Sequence, residues 1–400
     1  MPDSTNTLSH HISLPLSLPS TTIELAELVT KAHHDRTPLL VAGNRSKLAW
    51  GRIVSGATGI VSTQKLDRLI AHAVGDLTVT VEAGITFGQL QSILAAAGQF
   101  LPLDPAYPAS ATIGGIIATA DTGSLRHRYG GVRDLLLGIT FVRADGKIAK
   151  AGGRVVKNVA GYDMMKLFTG AYGTLGILTE ATFRVYPLPV ATGTVILTGA
   201  ANLLTEAGKI LLASTLTPIS IDLVSTAFSQ QLEINSSPSL VVKFATVPES
   251  IAQQSAQLLA IGKRLGLKGG LWQGAEQQQL WNQIQTGIWG TESIGCKLGV
   301  RSNLAAKTIE FIDRTTNNTA KSVIHLASGI GASTLTDSSQ ITPLRRQCET
   351  AGGFLSVLQA PIEIKQQIDI WGYRGNAIPL MQAIKTQFDP QNILNPSRCF

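Results

Sequence analysis

Cysteine is scarce: the 400 residues hold three, Cys296, Cys348 and Cys399, far apart and with no C-x-x-C. This supports neither a disulfide framework nor a zinc or iron–sulfur site, so the thiols read as buried or incidental. Charge is thin too, at 15% of residues against roughly 25% in an average soluble domain. No run approaches the roughly 18 consecutive apolar residues of a membrane span. The stretch from Met1 to Ser20 is polar, rich in Ser and Thr and broken by Pro15 and Pro19, without the charged and apolar regions of a secretory signal. These absences predict a soluble, cytoplasmic chain. Several chemistries also lack their motif. Gly170, Gly173 and Gly176 give G-x-x-G-x-x-G instead of the dinucleotide fingerprint G-x-G-x-x-G, and neither a P-loop nor G-x-S-x-G occurs. Histidine is missing from most of the second half: apart from His325, all lie within the first 127 residues, so no histidine cluster is expected there and no metal site is assigned.

Apolar residues make up 44% and glycine 39 of 400, enough for a sizeable core in two to three structural units. Of the net charge of +7, six units fall between Arg126 and Lys157, where eight cations face only Asp134 and Asp145. They alternate with glycine and apolar residues, which suits a small anion or a solvated loop better than nucleic acid, since nucleic acid asks for a dense basic stripe with aromatic platforms.

Thr21 and Glu24 have capping-box spacing ahead of an apolar helical pattern, and Pro38 to Ala42 reads as a short buried strand ending at Gly43. Thr78 to Glu82 alternates as a half-buried strand does, and Phe87 to Ala97 has helical spacing closed by Gly98. Asp145-Gly146 predicts a hairpin between Leu136–Arg143 and the residues from Lys147 onward. The apolar run Leu175 to Val185 ends in Tyr186-Pro187-Leu188-Pro189, a domain boundary. Beyond it Gln, Ser and Thr increase and helical pieces alternate with strand-like ones such as Ser239 to Ala245, as in a second α+β domain. Phe388 to Pro396 is a compact Pro/Asn turn, and no repeat of solenoid length is present.

Three glycine-centred segments fall in the first half. Gly43-Asn44-Arg45-Ser46-Lys47 follows a strand, and its backbone N–H groups and polar side chains could cradle an anion. Ala111 to Gly123 is nearly free of bulky polar side chains, so the main chain can approach a flat ligand closely. The third runs from Gly161-Tyr162-Asp163 through Gly170 to Glu180. Singly, each reads as a set of turns; together, in one basic domain, they favour a large phosphate-bearing cofactor and narrow the choice to a flavin site outside the dinucleotide-binding fold.

The order PLLVAGNRSKLAWG, ATIGGIIATADTG, RYGGVRDLLLGITFVRADGKI, VVKNVAGYDMMKLFTGAYGTLGILTEATFRVYPLP and FDPQNILNP resembles the FAD-linked oxidases of the vanillyl-alcohol-oxidase type, and within them the FAD-binding E subunits of glycolate oxidase. The resemblance covers residues 36 to 190 and the last dozen or so. It implies an α+β fold: a two-subdomain FAD-binding domain of the FAD-linked oxidase (PCMH) type, an inserted α+β cap and a C-terminal segment returning to the FAD domain. The corresponding bounds are a polar lead over 1–20, the FAD domain over 21–190, the cap over 191–365 and the return over 366–400.

By the same resemblance Gly43, Asn44, Arg45, Ser46 and Lys47 would wrap the FAD pyrophosphate. Thr112, Gly114, Gly115, Ala118 and Thr119, with Ala109 and Ser110 before them, would line the diphosphate and flavin edge. Gly173, Gly176 and the Ile177 backbone would meet the adenine or ring side. Lys157, Asn158 and Tyr162 would sit near the cofactor or buttress the helix that follows. Relatives that link flavin covalently use a histidine in the first loop; Gly43-Asn44-Arg45 stands there, which implies non-covalent FAD. The histidine-rich H-x-G-D-G-N-x-H-like segment of active 2-hydroxy-acid dehydrogenases is reduced to Ile324-His325-Leu326-Ala327-Ser328-Gly329, with no acid.

The catalytic candidates are Arg126 and Arg128, as cations for a substrate carboxylate, and His325, which otherwise reads as a packing residue; no general base is named. The implied function is that of the FAD-binding subunit of a glycolate oxidase or dehydrogenase complex, relaying electrons between a catalytic flavin subunit and an iron–sulfur subunit, cytoplasmic or peripheral at the inner membrane face. A stand-alone FAD-dependent D-2-hydroxy-acid dehydrogenase is the alternative, and a scaffold subunit without FAD the second.

Overall fold

A computed structural model describes residues 14–153, 162–290 and 293–399. The described residues divide into two compact units: those within 1–122, 130–188 and 374–400 form the first, and those within 123–129 and 189–373 the second.

The first unit contains two sheets. A parallel one runs in the order Leu16–Ser17, Gly59–Ser62, Leu39–Ala42. An antiparallel one runs Leu69–Ala73, Thr78–Glu82, Ile177–Arg184, Leu136–Val142, Ile148–Gly152. Helix Thr22–Asp35 starts where the sequence predicts, with Thr21 accepting from the Glu24 N–H at 3.1 Å, although the Glu24 carboxylate reaches back to the Ser20 N–H at 2.8 Å and not to Thr21. Its buried Leu25 and Val29 join Leu39 and Val61 of the parallel sheet, Val142 and Ile177 of the antiparallel one, and Ile393 and Leu394 from the far end of the chain in one core. The Asp145-Gly146 hairpin forms as expected. Gly146 has φ +80°, and a Cβ there would lie 1.9 Å from Thr30 Oγ1, so the turn fits against that helix only as glycine. A second core under the antiparallel sheet holds helices Phe87–Ala95 and Ile113–Thr119.

The second unit is built on an eight-stranded antiparallel sheet in the order Lys268–Trp272, Ala191–Thr198, Ser239–Thr246, Ser220–Val224, Ser322–His325, Ile330–Leu335, Ile294–Gly299, Phe354–Gln359. Strand residues alternate between two cores. Val195 and Leu197 face the larger one with helices such as Ala201–Ala213 and Ala305–Thr315, whereas Ile196 faces a smaller one with helix Gly274–Thr286. Two boundaries differ from the sequence reading. Residues 366–373 stay with the second unit because the Val357 N–H bonds the Ile370 carbonyl at 2.7 Å and the Ser356 hydroxyl bonds the Trp371 carbonyl at 2.8 Å, so the return begins at Arg374. Gly123–Tyr129, expected within the FAD domain, joins the second unit, where Ser124 bonds the buried Asp222.

Candidate functional site

The three glycine segments of the first unit converge on one cleft. Strand Leu39–Ala42 delivers the first loop, and the Ser62 hydroxyl holds its Gly43 carbonyl at 2.7 Å. Gly43 lies so close to the second segment that a Cβ would meet Thr112 Oγ1 at 2.1 Å, so only glycine lets the two walls approach. Thr112 caps helix Ile113–Thr119 by accepting from the Gly115 N–H at 3.2 Å. Gly115 lines the cavity, and a Cβ there would meet only Thr112 Oγ1, at 3.2 Å, so a larger side chain would take up ligand space. This glycine cradle fits a flat, phosphate-bearing cofactor.

Gly43, Asn44, Arg45, Ser46, Lys47, Thr112, Gly114, Gly115, Ala118, Thr119, Gly173, Gly176 and Ile177 all line the cavity. Ala109 and Ser110 do not; the Ser110 carbonyl instead accepts from Asn44 Nδ2 at 3.2 Å and orients that side chain. Tyr162 is 90% exposed and is not part of the lining, and Lys157 and Asn158 lie outside the described residues. Lys47 requires a correction. Its ammonium is turned inward onto the Asp121 carboxylate, which also accepts from the Ala106 N–H at 2.9 Å, and it sits 5.3 Å from the Trp50 ring centroid. Burial lowers its pKa against the pull of Asp121. Lys47 therefore braces the loop and is not a free donor to a phosphate. Beside this pair, burial pushes the Tyr107 hydroxyl up to about 12.

Sequence reasoning missed Trp50, Phe168 and Tyr172 in the lining and, more importantly, the clamp supplied by the chain's end. Asn395 accepts from the Val41 N–H and donates to the Tyr172 carbonyl, both at 2.8 Å, tying the first segment to the third. Arg398 Nη1 donates to the carbonyls of Leu48, Trp50 and Arg52 at 3.1, 2.7 and 3.0 Å. Lys385 Nζ bonds the carbonyls of Thr174 and Leu394, each at 2.9 Å, and pairs with Asp389, which in turn accepts from the N–H groups of Ile393 and Leu394. The compact Pro/Asn turn was the only sign of this in the sequence.

The remaining candidates meet in the second unit. The short helix Arg126–Tyr129 packs on strand Ser220–Val224, and Asp222 of that strand lies opposite His325 of its neighbour. His325 Nδ1 is 2.8 Å from Asp222 Oδ1, and the Ser124 hydroxyl donates to Asp222 Oδ2. Arg126 and Arg128 are exposed. His127 belongs to this unit as well: burial lowers its pKa while the charge of Asp222 opposes the shift. The seven-residue excursion thus carries a second histidine, His127, into this unit, where the sequence reading has only His325. Asp222 was also missed; its signal is an acid in the otherwise buried strand Ser-Ile-Asp-Leu-Val.

Residues 15–152 match the family described as FAD binding domain, and residues 371–399 match the C-terminal domain of FAD linked oxidases. The first unit is therefore an FAD-binding domain of the FAD-linked oxidase class, and FAD is its cofactor. Among particular proteins, the chain is 41% identical over 175 residues to glycolate oxidase subunit GlcE of Escherichia coli (strain K12), covering 42% of this chain and 47% of that one. It is 33% identical over 172 residues to glycolate oxidase subunit GlcD of Bacillus subtilis (43% and 36% covered) and 38% identical over 176 to a probable mitochondrial D-lactate dehydrogenase of Danio rerio (43% and 35%). The matches thus span about half the length of the first relative and about a third of the others. Among solved structures, p-cresol methylhydroxylase has a TM-score of 0.76 at 17% identity and 4-ethylphenol oxidase from Gulosibacter chungangensis 0.75 at 16%; each match covers 96% of this chain and 88% of the other. They establish the α+β fold of the PCMH-type oxidases. Among the described residues no helix is long and apolar enough to cross a membrane.

Proposed function

We propose that the chain is the FAD-binding subunit of a glycolate oxidase-type complex and takes part in oxidising a 2-hydroxy acid, glycolate, to glyoxylate, with electrons passing through FAD to partner subunits. The observation that carries this reading is the glycine-walled cavity, closed by the C-terminal clamp, within a domain of the FAD-linked oxidase class. Likeness to two glycolate oxidase subunits supports the substrate and the complex.

The first loop, with Asn44, Arg45 and Ser46, would hold the pyrophosphate, Thr112 through Thr119 the flavin edge, and Gly173, Gly176 and Ile177 the opposite wall. The bound flavin supplies two-electron oxidation of a CH–OH group; the chain binds it, orients it and excludes water. With no histidine in Gly43-Asn44-Arg45, the flavin is held non-covalently. A four-iron cluster asks for four cysteine ligands, and the 400 residues hold three, two of them buried with thiols pushed up to about 12 by burial. One-electron carriers therefore belong to an iron–sulfur partner, beside a catalytic flavin subunit. Such an assembly would be cytoplasmic, or peripheral at the inner face of the membrane.

A second reading, a stand-alone D-2-hydroxy-acid dehydrogenase, is favoured by the D-lactate dehydrogenase likeness and by the paired Asp222 and His325. Anaerobic addition of glycolate or D-lactate to the purified yellow protein separates the two. Bleaching by the chain alone supports the second, and a yellow protein that bleaches only with its partner subunits supports the first. A colourless protein that gains no flavin absorbance with added FAD overturns both, and flavin released by acid precipitation confirms non-covalent attachment.

A further inference from the structure

We propose that residues 396–399 form a latch on the cofactor cleft, closed when Arg398 is docked and open when FAD enters or leaves. The proposal goes beyond the function above: it concerns exchange of the cofactor, and it rests on the FAD-binding class of the first unit and not on the substrate. The chain is anchored just before the latch. Ile393 and Leu394 are sealed in the core beside helix Thr22–Asp35. Leu39 holds both neighbours of Leu394, its N–H donating to the Ile393 carbonyl at 2.7 Å and its carbonyl accepting from the Asn395 N–H at 3.0 Å. Among the described residues none after Leu394 joins a hydrophobic cluster. Instead Ser397 Oγ lies 2.8 Å from Ser55 Oγ, and Arg398 docks on the carbonyls of Leu48, Trp50 and Arg52.

These polar bonds hold the latch against opposing terms. Asn395 and Ser397, on either side of Pro396, have φ of +46° and +64°, and for the serine this left-handed backbone is strained. The Arg398 guanidinium gives up its water so fully that burial pulls its pKa down to about 10. Opening relieves the strain and rehydrates the cation, so the closed and open arrangements lie closer in free energy than three bonds to a charged donor suggest. A segment held in this way opens by itself while the anchored core stays folded. Arg398 also lines the cleft, as do Arg45 and Tyr172, whose φ of +60° and +52° repeat the strained backbone there. Strain of this kind collects where a site is held ready for a ligand.

Two features tie the latch to the cofactor. The carbonyls that receive Arg398 follow directly on the loop from Gly43 to Lys47, so docking fixes the loop proposed to hold the pyrophosphate. Under the non-covalent attachment proposed above, contacts alone retain the flavin; the closed latch adds to them, and the open one frees both loop and wall. Bound FAD and closure therefore stabilise each other, and the coupling is reciprocal.

Cys399 reports the latch: it is half-buried beside Arg398, whereas Cys296 and Cys348 are sealed in the core of the second unit. An aromatic disulfide reagent added to the full chain should modify this thiol about tenfold faster in stripped protein than with saturating FAD, and C399S should show no such reaction. R398A should react fast in both states. The Ser55–Ser397 contact supplies a lock, since hydroxyl oxygens 2.8 Å apart bring the two Cβ atoms within reach of a disulfide. S55C with S397C, in a C399S background, should oxidise and then release FAD about tenfold or more slowly, followed as flavin fluorescence on dilution. A phosphine reductant should restore the rate, and S397C with C399S should not respond to it. Equal release from the oxidised and reduced lock, equal Cys399 reactivity with and without FAD, a protected thiol in R398A, or a pair that does not oxidise would each overturn the proposal. A chain that takes up no FAD would overturn the cofactor assignment and the latch together, so the two failures are told apart.

Discussion

Replacing Arg398 by alanine removes one buried nitrogen that bonds three alternate carbonyls just after the first loop, those of Leu48, Trp50 and Arg52. Burial pulls the guanidinium down to about 10, so its charge is tolerated only because those carbonyls face it. Hydrogen bonds to a charged donor contribute about 1.5–3 kcal/mol each, and three from one nitrogen are far from additive; about 3 kcal/mol is a reasonable total. The bonded carbonyls lie just beyond Gly43–Lys47, which line the cavity, so the loss falls on the loop that FAD needs ordered. At about 1.4 kcal/mol per decade, R398A should raise the FAD Kd about 100-fold, measured by titrating stripped protein and following flavin fluorescence. R398K should recover part of the affinity, having donors but no planar fork. Because the variant also binds FAD more weakly, its melting point with added FAD should fall more than that of the stripped protein. If R398A lowers stability yet binds FAD as tightly as the wild type, the clamp does not act through the cofactor loop and the reasoning fails.

Further outcomes follow from the same contacts. G115L should fold, since a Cβ meets only Thr112 Oγ1 at 3.2 Å, but should lose FAD; unchanged flavin stoichiometry would remove Gly115 from the site. D121N strands the buried Lys47 ammonium and should cost about 3–5 kcal/mol of stability, whereas K47M with D121N should recover most of it, read by urea denaturation. Burial holds the Cys296 and Cys348 thiols up to about 12 against an ordinary value near 9. The unfolded chain therefore releases those protons first, and stability falls as pH rises from about 9 towards 12. Denaturation between pH 8 and 10 should show a shallower decline for C296A with C348A than for the wild type.

Local signals carried the elements well where neighbours along the chain decide the outcome. The Thr21 cap and Asp145-Gly146 are each satisfied within a few residues and appear in the structure, whereas Thr78–Glu82 is a strand as its alternation predicts but is buried on both faces and not half-buried, because it pairs on both edges inside the sheet. The glycine segments were legible as a set because close backbone approach leaves a compositional trace. Lys47 was misread because a lysine beside a glycine turn looks the same in sequence whether it faces a phosphate or a buried acid 74 positions later.

By itself, then, the sequence determined the strands and turns, the glycine walls and the class of cofactor they suit, since each depends on short-range sterics or on composition. Only the tertiary structure decided what closes those walls and what else the chain can do. Asn395 and Arg398 reach loops about 350 residues earlier, residues 123–129 leave their own domain, and Asp222 meets His325 across 103 positions. Such contacts are set by sheet register and by where buried charge can be satisfied. These are properties of the packed chain as a whole, and no window of neighbouring residues contains them.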